Sequence, residues 1–250
     1  MRSVVRARGM LLRGLGVGAL LVLGLAAAPL GVMASGVAAD PTCAPVPAPG
    51  QFSLRIDNPF MPLQPGTTYV FHGVSEGHQQ VDTVSVTSDT KLIAGVTTRA
   101  VRDVVTQGGH VVEQTNDFYA QDTTGNVWYF GEASKEFGPG GQVSTEGSWL
   151  AGHDGATPGI IMEARPQVGD TYRQECAGTV AQDTARVLSL SESVSVPFGS
   201  FDHLLQTREF SPLEPGVAEE KYYARGIGEV KEVTVQGGSE QFVLVSVQRP

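Results

Sequence analysis

Alternation of apolar and polar residues is the feature that most constrains the fold of this 250-residue chain. It is clearest in residues 83–87, 187–196 and 242–247. Period-two alternation places every second side chain on one face of an extended segment, so it predicts half-buried antiparallel β-strands. Further strand-like runs are residues 67–73, 96–106, 110–121, 126–132, 171–176, 201–210 and 219–234. The sequence therefore predicts an all-β fold.

Turn signals between these runs predict hairpins. Gly108-Gly109 and Gly237-Gly238 lie between strand-like runs, where two-residue turns require positive φ angles. Residues 123–126 occupy the same position between two aromatic strands. Residues 40–51 contain four prolines and are interpreted as an extended lead-in. Residues 52–250 are predicted to form one all-β domain, which is large enough for a real core.

The N-terminus has the three-part pattern of a secretory signal peptide. Four arginines among the first 13 residues precede an uncharged, apolar stretch that ends in small residues. The stretch is long enough for an uncleaved membrane anchor, but its glycines and its proline favour cleavage, after Ala34 or Ala39. We therefore predict residues 1–39 to be a cleaved signal peptide. The mature protein is expected to be secreted or to lie in the cell envelope, without a stable membrane anchor.

The charge of the mature chain argues against two classes of partner. The chain has 17 basic and 26 acidic residues, and the predicted signal peptide holds four of the basic and none of the acidic ones. The mature part therefore carries a formal charge of −13. Nucleic acids and anionic membrane surfaces would repel such a protein.

Cys43 and Cys176 are the two cysteines of the chain. In an oxidising compartment two cysteines most often form one disulfide. We therefore predict an intramolecular bond between Cys43 and Cys176, with two unpaired thiols as the alternative.

One long stretch, residues 134–159, breaks the strand pattern. It is rich in glycine, shows no clean period and contains Trp149, His153 and Asp154. Long irregular connections in compact domains are usually functional or disordered, and a tryptophan argues against disorder. This segment is therefore predicted to be the lid or rim of a site.

The densest polar grouping lies in residues 110–122. Alternation places Glu113, Asp117 and Tyr119 on one face of that strand, and the next strand offers Trp128 and Glu132. Together with Arg102 of the preceding strand, these residues could perform general acid/base chemistry or bind a sugar. The alternative is a solvated sheet face whose cross-strand ion pairs contribute little.

The irregular segment is predicted to bring Trp149, His153 and Asp154 onto this polar face. The candidate catalytic residues are Glu113, Asp117, His153 and Asp154; the candidate ligand-binding residues are Arg102, Tyr119, Trp128, Glu132 and Trp149.

The five histidines are scattered along the chain, so no metal site is predicted. The sequence leaves the cofactor open. Residues 173–176 and 219–223 place charged side chains close to aromatic ones in predicted strands. These side chains would either form the opposite wall of the cavity or lie on edge strands, where charge discourages aggregation.

Three stretches carry a resemblance to known domains. Residues 58–71 resemble the opening strand of exported bacterial domains of unknown function. Residues 196–201 resemble the V-P-x-G-x-F turn of those domains, and residues 222–231 resemble their W/Y-Y-A-x-G-x-G-x-V-K hairpin. The aromatic residues 117–132 resemble another uncharacterised exported family. These domains are similar to the LolA-like and DUF3108-like groups. The resemblance implies a single large curved antiparallel sheet, a half-barrel around an apolar cavity, with a β-barrel or sandwich as the alternative.

Three functions remain open at this point. The first is an exported β-domain that binds a small or lipid-like ligand in the concavity of the curved sheet. The second is a secreted hydrolase or lyase that uses a carboxylate and histidine site. The third is a structural or interaction domain of the cell envelope. Familiar catalytic motifs are absent from the mature sequence, which weakens the enzyme hypothesis without excluding it.

Overall fold

The computed structural model describes residues 41–250, so the predicted signal peptide lies outside the described residues. One turn of 3-10 helix, Pro49–Gln51, precedes the strands. The strands are β1 (Phe52–Ser53), β2 (Asp57–Asn58), β3 (Met61–Pro62), β4 (Thr68–Ser75), β5 (His78–Ile93), β6 (Val96–Gln107), β7 (His110–Asp122), β8 (Val127–Phe137), β9 (Val143–Ser144), β10 (Trp149–Leu150), β11 (Thr157–Met162), β12 (Thr171–Arg173), β13 (Glu175–Cys176), β14 (Thr184–Val196), β15 (Gly199–Phe210), β16 (Ala218–Ala224), β17 (Gly228–Gln236) and β18 (Gln241–Gln248).

The predicted all-β fold is confirmed as one large antiparallel sheet. Its strand order is β12-β14-β15-β16-β17-β18-β4-β5-β6-β7-β8-β11-β13, and β2 and β3 form a separate small hairpin. Most neighbours in the sheet are also neighbours in sequence, as expected for strands joined by tight turns. Gly108 and Gly109, for example, have φ angles of 58° and 82° in the β6–β7 turn.

A single short segment brings the two ends of this sheet together. β12 pairs with β14 at one end, and β13 pairs with β11 at the other. Gln174 alone separates β12 from β13, and its amide donates to the carbonyl of Asp183 over 2.8 Å. The sheet is therefore nearly closed and has the shape of a barrel.

Both faces of the sheet bury side chains. Inside the barrel, an apolar core contains Phe60, Phe71, Leu204, Phe242 and Leu244. A second apolar cluster covers the outer face of the β6–β8 region, and its large members on that face are Phe118, Trp128 and Phe130. Phe52 of β1 packs edge-on against Trp128 and Phe130, with ring centroids 6.0 and 5.3 Å apart. The chain that leads into the sheet thus covers the outer cluster.

The irregular segment has a different structure from the predicted lid. β8 continues to Phe137, and β9, β10 and β11 then pair one after another along the same edge of β8. The stretch is therefore an interrupted partner strand, with turns between its three pieces. Its glycines serve those turns, since Gly140, Gly141, Gly147, Gly152 and Gly155 all have positive φ angles.

The predicted disulfide between Cys43 and Cys176 is present, with Cα atoms 6.1 Å apart. Cys176 ends the segment that closes the barrel, and Cys43 lies in the lead-in. Nearby, the Arg173 Nε donates to the carbonyl of Pro41 over 3.0 Å. The bond therefore holds the lead-in against the point where the sheet closes.

Candidate functional site

A cavity of about 160 Å³ lies inside the barrel. One part of its wall is apolar, formed by Leu63, Tyr69, Phe71, Val84, Val101 and Met162. The other part is acidic, formed by Asp103, Asp117, Glu132, Glu175, Asp183 and Glu209. The hydroxyl-bearing rings of Tyr119, Tyr129 and Tyr223 and the ammonium of Lys221 complete the polar side. We call this space the acidic cavity.

Strands β7 and β8 form the centre of the acidic wall. Asp117 lies directly opposite Glu132, and Tyr119 lies opposite Tyr129 with their rings stacked at 4.9 Å. The Tyr129 hydroxyl is 2.6 Å from Asp117 Oδ1 and 2.8 Å from Glu132 Oε2. A phenol carries one proton, so both contacts can be hydrogen bonds only when one of the two carboxyls is protonated. The geometry therefore favours a proton shared within this group.

A β-bulge decides which residues of β8 face the cavity. Strict alternation places Glu132 on the same face as Trp128 and Phe130, but this expectation is wrong. The register shifts between the Asp117–Glu132 and Tyr119–Tyr129 pairs, so two residues of β8 lie opposite Phe118 alone. Gly131 occupies the bulge with φ 119°, and a Cβ there would lie 2.2 Å from the Trp149 carbonyl oxygen. Tyr129 and Glu132 consequently share the inner face.

Lys221 is the buried cation that neutralises part of the acidic wall. Its Nζ is 2.9 Å from Glu209 Oε2 and 3.6 Å from Glu232 Oε2. Within residues 41–250 the other buried basic side chains are Arg99 and Arg173. Both of these guanidinium groups donate to backbone carbonyls, Arg99 to Ser88 and Arg173 to Pro41. Among the described residues, buried carboxyls therefore outnumber buried basic side chains.

Burial raises the pKa of the carboxyls around the cavity. It raises the pKa of Asp117 and of Asp183 to about 7. It raises the pKa of the neighbouring Glu113, inside β7, to about 8. The pKa values of Glu132 and Glu175 also rise well above the ordinary range, because burial and neighbouring carboxylates both disfavour the charged form. The wall therefore contains carboxyls, Asp117 and Asp183 among them, whose pKa lies near neutral pH.

The structure brings together four of the nine residues singled out by sequence. Asp117, Tyr119 and Glu132 line the cavity, and Glu113 is buried on the same face of β7, where it accepts from Thr115 over 3.1 Å. Trp149 is the nearest of the others, since its ring packs edge-on against Tyr129 at 5.5 Å.

The remaining candidates lie elsewhere. Trp128 belongs to the outer cluster and donates its Nε1–H to Asp122 over 2.8 Å. Arg102 is exposed and donates to Gln114. His153 and Asp154 are exposed in the turn before β11, whereas Asp117 faces the barrel interior. The described contacts include none between His153 and Asp117.

The second half of the chain contributes cavity-lining residues that the sequence analysis does not include among the candidates. Glu175, Asp183, Glu209, Lys221 and Tyr223 all face the cavity. The available signal is the alternation of Glu219, Lys221 and Tyr223, which by itself is compatible with a cavity face or with edge-strand charges. β16 lies inside the sheet between β15 and β17, so these charges point into the barrel and protect no edge.

Fold and cavity together define a nearly closed antiparallel barrel with an acidic interior. The sequence matches no protein-family model and no curated relative. Among solved structures, the chain is similar to one described as a "putative exported protein with YmcC-like fold" from Bacteroides fragilis. The two share 13% identity, with a TM-score of 0.46 over 76% of this chain and 99% of the other.

A second similar structure is described as a "putative lipoprotein" from Parabacteroides distasonis. It is also 13% identical, with a TM-score of 0.41 over 76% of this chain and 98% of the other. The resemblance to LolA-like and DUF3108-like domains is not confirmed. In the part of the chain that the structure describes, no helix has the length and apolar character needed to cross a membrane.

The raised carboxyl pKa values predict a protein that is more stable in mild acid. A carboxyl whose pKa is higher in the folded state binds more protons folded than unfolded, so it stabilises the fold below its unfolded pKa. That contribution disappears as the pH rises from about 4 through the folded pKa of about 7 for Asp117 and Asp183. One pKa unit is worth ~1.4 kcal/mol, so we expect the free energy of unfolding to be higher by at least about 3 kcal/mol at pH 5 than at pH 8.

Thermal unfolding followed by circular dichroism between pH 4.5 and 8.5 measures this effect. The Asp117→Asn variant should show a flatter dependence of Tm on pH, whereas the exposed-site variant Asp154→Asn should follow the wild type. A Tm that rises steadily from pH 5 to pH 8 would contradict the prediction.

Proposed function

We propose that this protein is an exported β-barrel domain that binds a small molecule in the acidic cavity, and that the ligand carries a cationic group. The observation behind the proposal is the excess of carboxyls over cations in the cavity wall. Asp103, Asp117, Glu132, Glu175, Asp183 and Glu209 face this space, and Lys221 is the one basic residue that residues 41–250 contribute to its lining. A ligand cation would offset the negative charge of these carboxylates.

The size of the cavity supports a small ligand over a lipid. About 160 Å³ is close to the ~150 Å³ of an engineered protein cavity that holds one benzene molecule. Sites for drug-sized ligands are larger, at roughly 300–1,000 Å³. Of the two ligand classes expected from the sequence, the small molecule therefore fits better than a long acyl chain.

The two-sided wall supports a ligand with an apolar body. Half-buried Met61, Ile161 and Ile227 lie where the cavity approaches the surface, and the carboxyls lie deeper. An alkyl or aryl ammonium compound matches this arrangement. Its hydrocarbon would pack on the apolar wall while its ammonium reached Asp117 and Glu132.

Export is the other half of the proposal. It rests on the arginine-rich and apolar pattern of residues 1–39 and on the Cys43–Cys176 disulfide, which suits an oxidising compartment. N-terminal sequencing of the mature protein from its host should begin near Asp40. Recovery of the secreted protein with Arg2 still present would contradict this half.

A second function is favoured by the shared proton at Tyr129. Asp117, with a pKa of about 7, and the Tyr129 hydroxyl at 2.6 Å could act as a general acid and base on a bound substrate. This alternative retains the carboxyls of the enzyme hypothesis but not His153. Turnover of a bound ligand that stops in both Asp117→Asn and Tyr129→Phe would support it.

Calorimetric titration with benzylamine, and with the uncharged benzyl alcohol as its matched control, tests the binding proposal. We expect benzylamine to bind and benzyl alcohol to bind at least about 10-fold more weakly, since a buried charge pair discriminates strongly against a neutral ligand. Affinity should increase from pH 5 to pH 8, because a cation prefers ionised carboxyls and Asp117 and Asp183 titrate near 7.

Variants locate the binding site. Asp117→Asn and Glu132→Gln should remove most of the benzylamine affinity, while Asp89→Asn, an exposed site on β5, should leave it unchanged. Equal binding of the amine and the alcohol, or full binding by Asp117→Asn, would contradict a cation site in the cavity.

A further inference from the structure

A second group of carboxyls lies on the inner side of the sheet, outside the lining of the acidic cavity. Its members are Glu219 of β16, Glu232 of β17 and Glu240 in the turn before β18. One carboxylate oxygen from each lies within 4.8 Å of the others, and all three side chains are buried. We call this group the glutamate cluster.

Thr234 adds a fourth oxygen to the glutamate cluster. It lies directly opposite Glu219 in the β16–β17 pairing and two residues after Glu232, so its side chain is on the same face as both. Its exposure is 8%, and its Oγ1 has no hydrogen-bond partner among the described residues. A buried hydroxyl normally finds a partner, so an unpartnered one on the face that carries Glu219 and Glu232 points to a missing ligand.

The position of Glu240 is set by the backbone. The Thr234 amide donates to the Glu240 carbonyl over 2.8 Å, which holds the β17–β18 turn against β17. In the same turn, a Cβ on Gly237 would lie 2.4 Å from the Gly216 carbonyl oxygen. These two contacts hold the turn close to β17, beside the strand residues whose carboxylates lie within 4.8 Å of that of Glu240.

We infer that Glu219, Glu232, Glu240 and the Thr234 hydroxyl bind one calcium ion. Carboxylate and hydroxyl oxygens are the ligands that hard cations prefer, and Ca²⁺ accepts irregular arrangements of them. With Ca–O distances of about 2.3–2.6 Å, opposite ligands of one ion lie about 4.6–5.2 Å apart, which accommodates the separations in the cluster.

Lys221 lies on the same face of β16 as Glu219, two residues further along the strand. Its Nζ is 3.6 Å from Glu232 Oε2 and nearer, at 2.9 Å, to Glu209 Oε2. A divalent ion in the glutamate cluster would therefore share Glu232 with this ion pair and would join β16, β17 and the turn before β18.

Calcium titration of the EDTA-treated full mature chain tests this site at pH 7.5. We expect Ca²⁺ to bind with a dissociation constant on the order of 10⁻⁴–10⁻³ M, the range of extracellular calcium modules. At 10 mM Ca²⁺ the Tm should rise by about 3–10 °C, and equal Mg²⁺ should raise it less. No calorimetric heat and no change in Tm at 10 mM Ca²⁺ would overturn the inference.

Three variants separate a binding site from a general charge effect. Glu219→Gln should weaken Ca²⁺ binding at least about 10-fold, the size of loss seen even for outer-shell partners. Thr234→Val keeps the shape of the side chain and should also weaken it, so the test survives if Glu219→Gln fails to fold. Glu220→Gln, on the same strand but the opposite face, should bind as the wild type does. Equal Ca²⁺ affinity in all three would overturn the inference.

Discussion

Replacing Lys221 with methionine is expected to lower the free energy of unfolding by about 3–5 kcal/mol, the usual cost of removing one partner of a buried ion pair. The Nζ lies 2.9 Å from Glu209 and 3.6 Å from Glu232, and all three side chains are almost fully buried. Methionine fills a similar volume but carries no charge. The acidic interior would then hold the same carboxyls without the ammonium that offsets them.

Urea unfolding at pH 7.5 measures this effect, and Lys231→Met is the matched control. Lys231 lies on the neighbouring strand with its Nζ 5.3 Å from the Tyr222 ring, half-buried and outside the cavity, so its loss should cost less than about 1 kcal/mol. The defect of Lys221→Met should shrink at pH 5, where protonation removes negative charge from the wall. A defect below about 1 kcal/mol at pH 7.5 would show that the carboxyls do not depend on Lys221.

Removing the disulfide with the pair Cys43→Ala and Cys176→Ala is expected to cost about 4 kcal/mol. In the chain-entropy account a bond that closes a loop of about 100 residues stabilises by ~4.7 kcal/mol, and this bond spans 133 residues. The bond also holds the lead-in beside the segment that closes the barrel. For a chain of this size the Tm should fall by roughly 8–16 °C.

Differential scanning calorimetry with and without reductant checks this result and its cause. Reductant should lower the Tm of the wild type toward that of the double variant and leave the double variant unchanged. A single Cys43→Ala variant should behave like the double one, since either change breaks the same bond. Wild-type and double-variant Tm values within about 2 °C of each other would show that packing alone holds the lead-in.

The strands could be predicted because alternation is a local property. Residues 96–106 and 110–121 correspond closely to β6 and β7, and the Gly108-Gly109 turn lies between them as expected. The run 219–234 is divided into β16 and β17 by a turn that contains Gly226, whose φ is 75°. A glycine within a strand-like run was the available signal for that division.

The candidate site was harder to predict because its residues are far apart in sequence. Asp117 and Glu132 were found because hairpin neighbours pair at short range. Their common face, however, depends on the bulge at Gly131, which alternation does not reveal. Glu175, Asp183 and Lys221 reach the cavity only because residues 171–176 join the two ends of the sheet.

Sequence by itself determined three features of this protein. The all-β class follows from the local period of two, the hairpin turns follow from local turn chemistry, and the pairing of Cys43 with Cys176 follows because the sequence contains no other cysteine. Tertiary structure alone decided that the sheet closes, and therefore that a strand face which would be solvated in an open sheet becomes a buried wall. The physical reason is burial. The same carboxyls of Asp117 and Glu132 would be ordinary ionised groups in water, and inside the barrel burial raises the pKa of both.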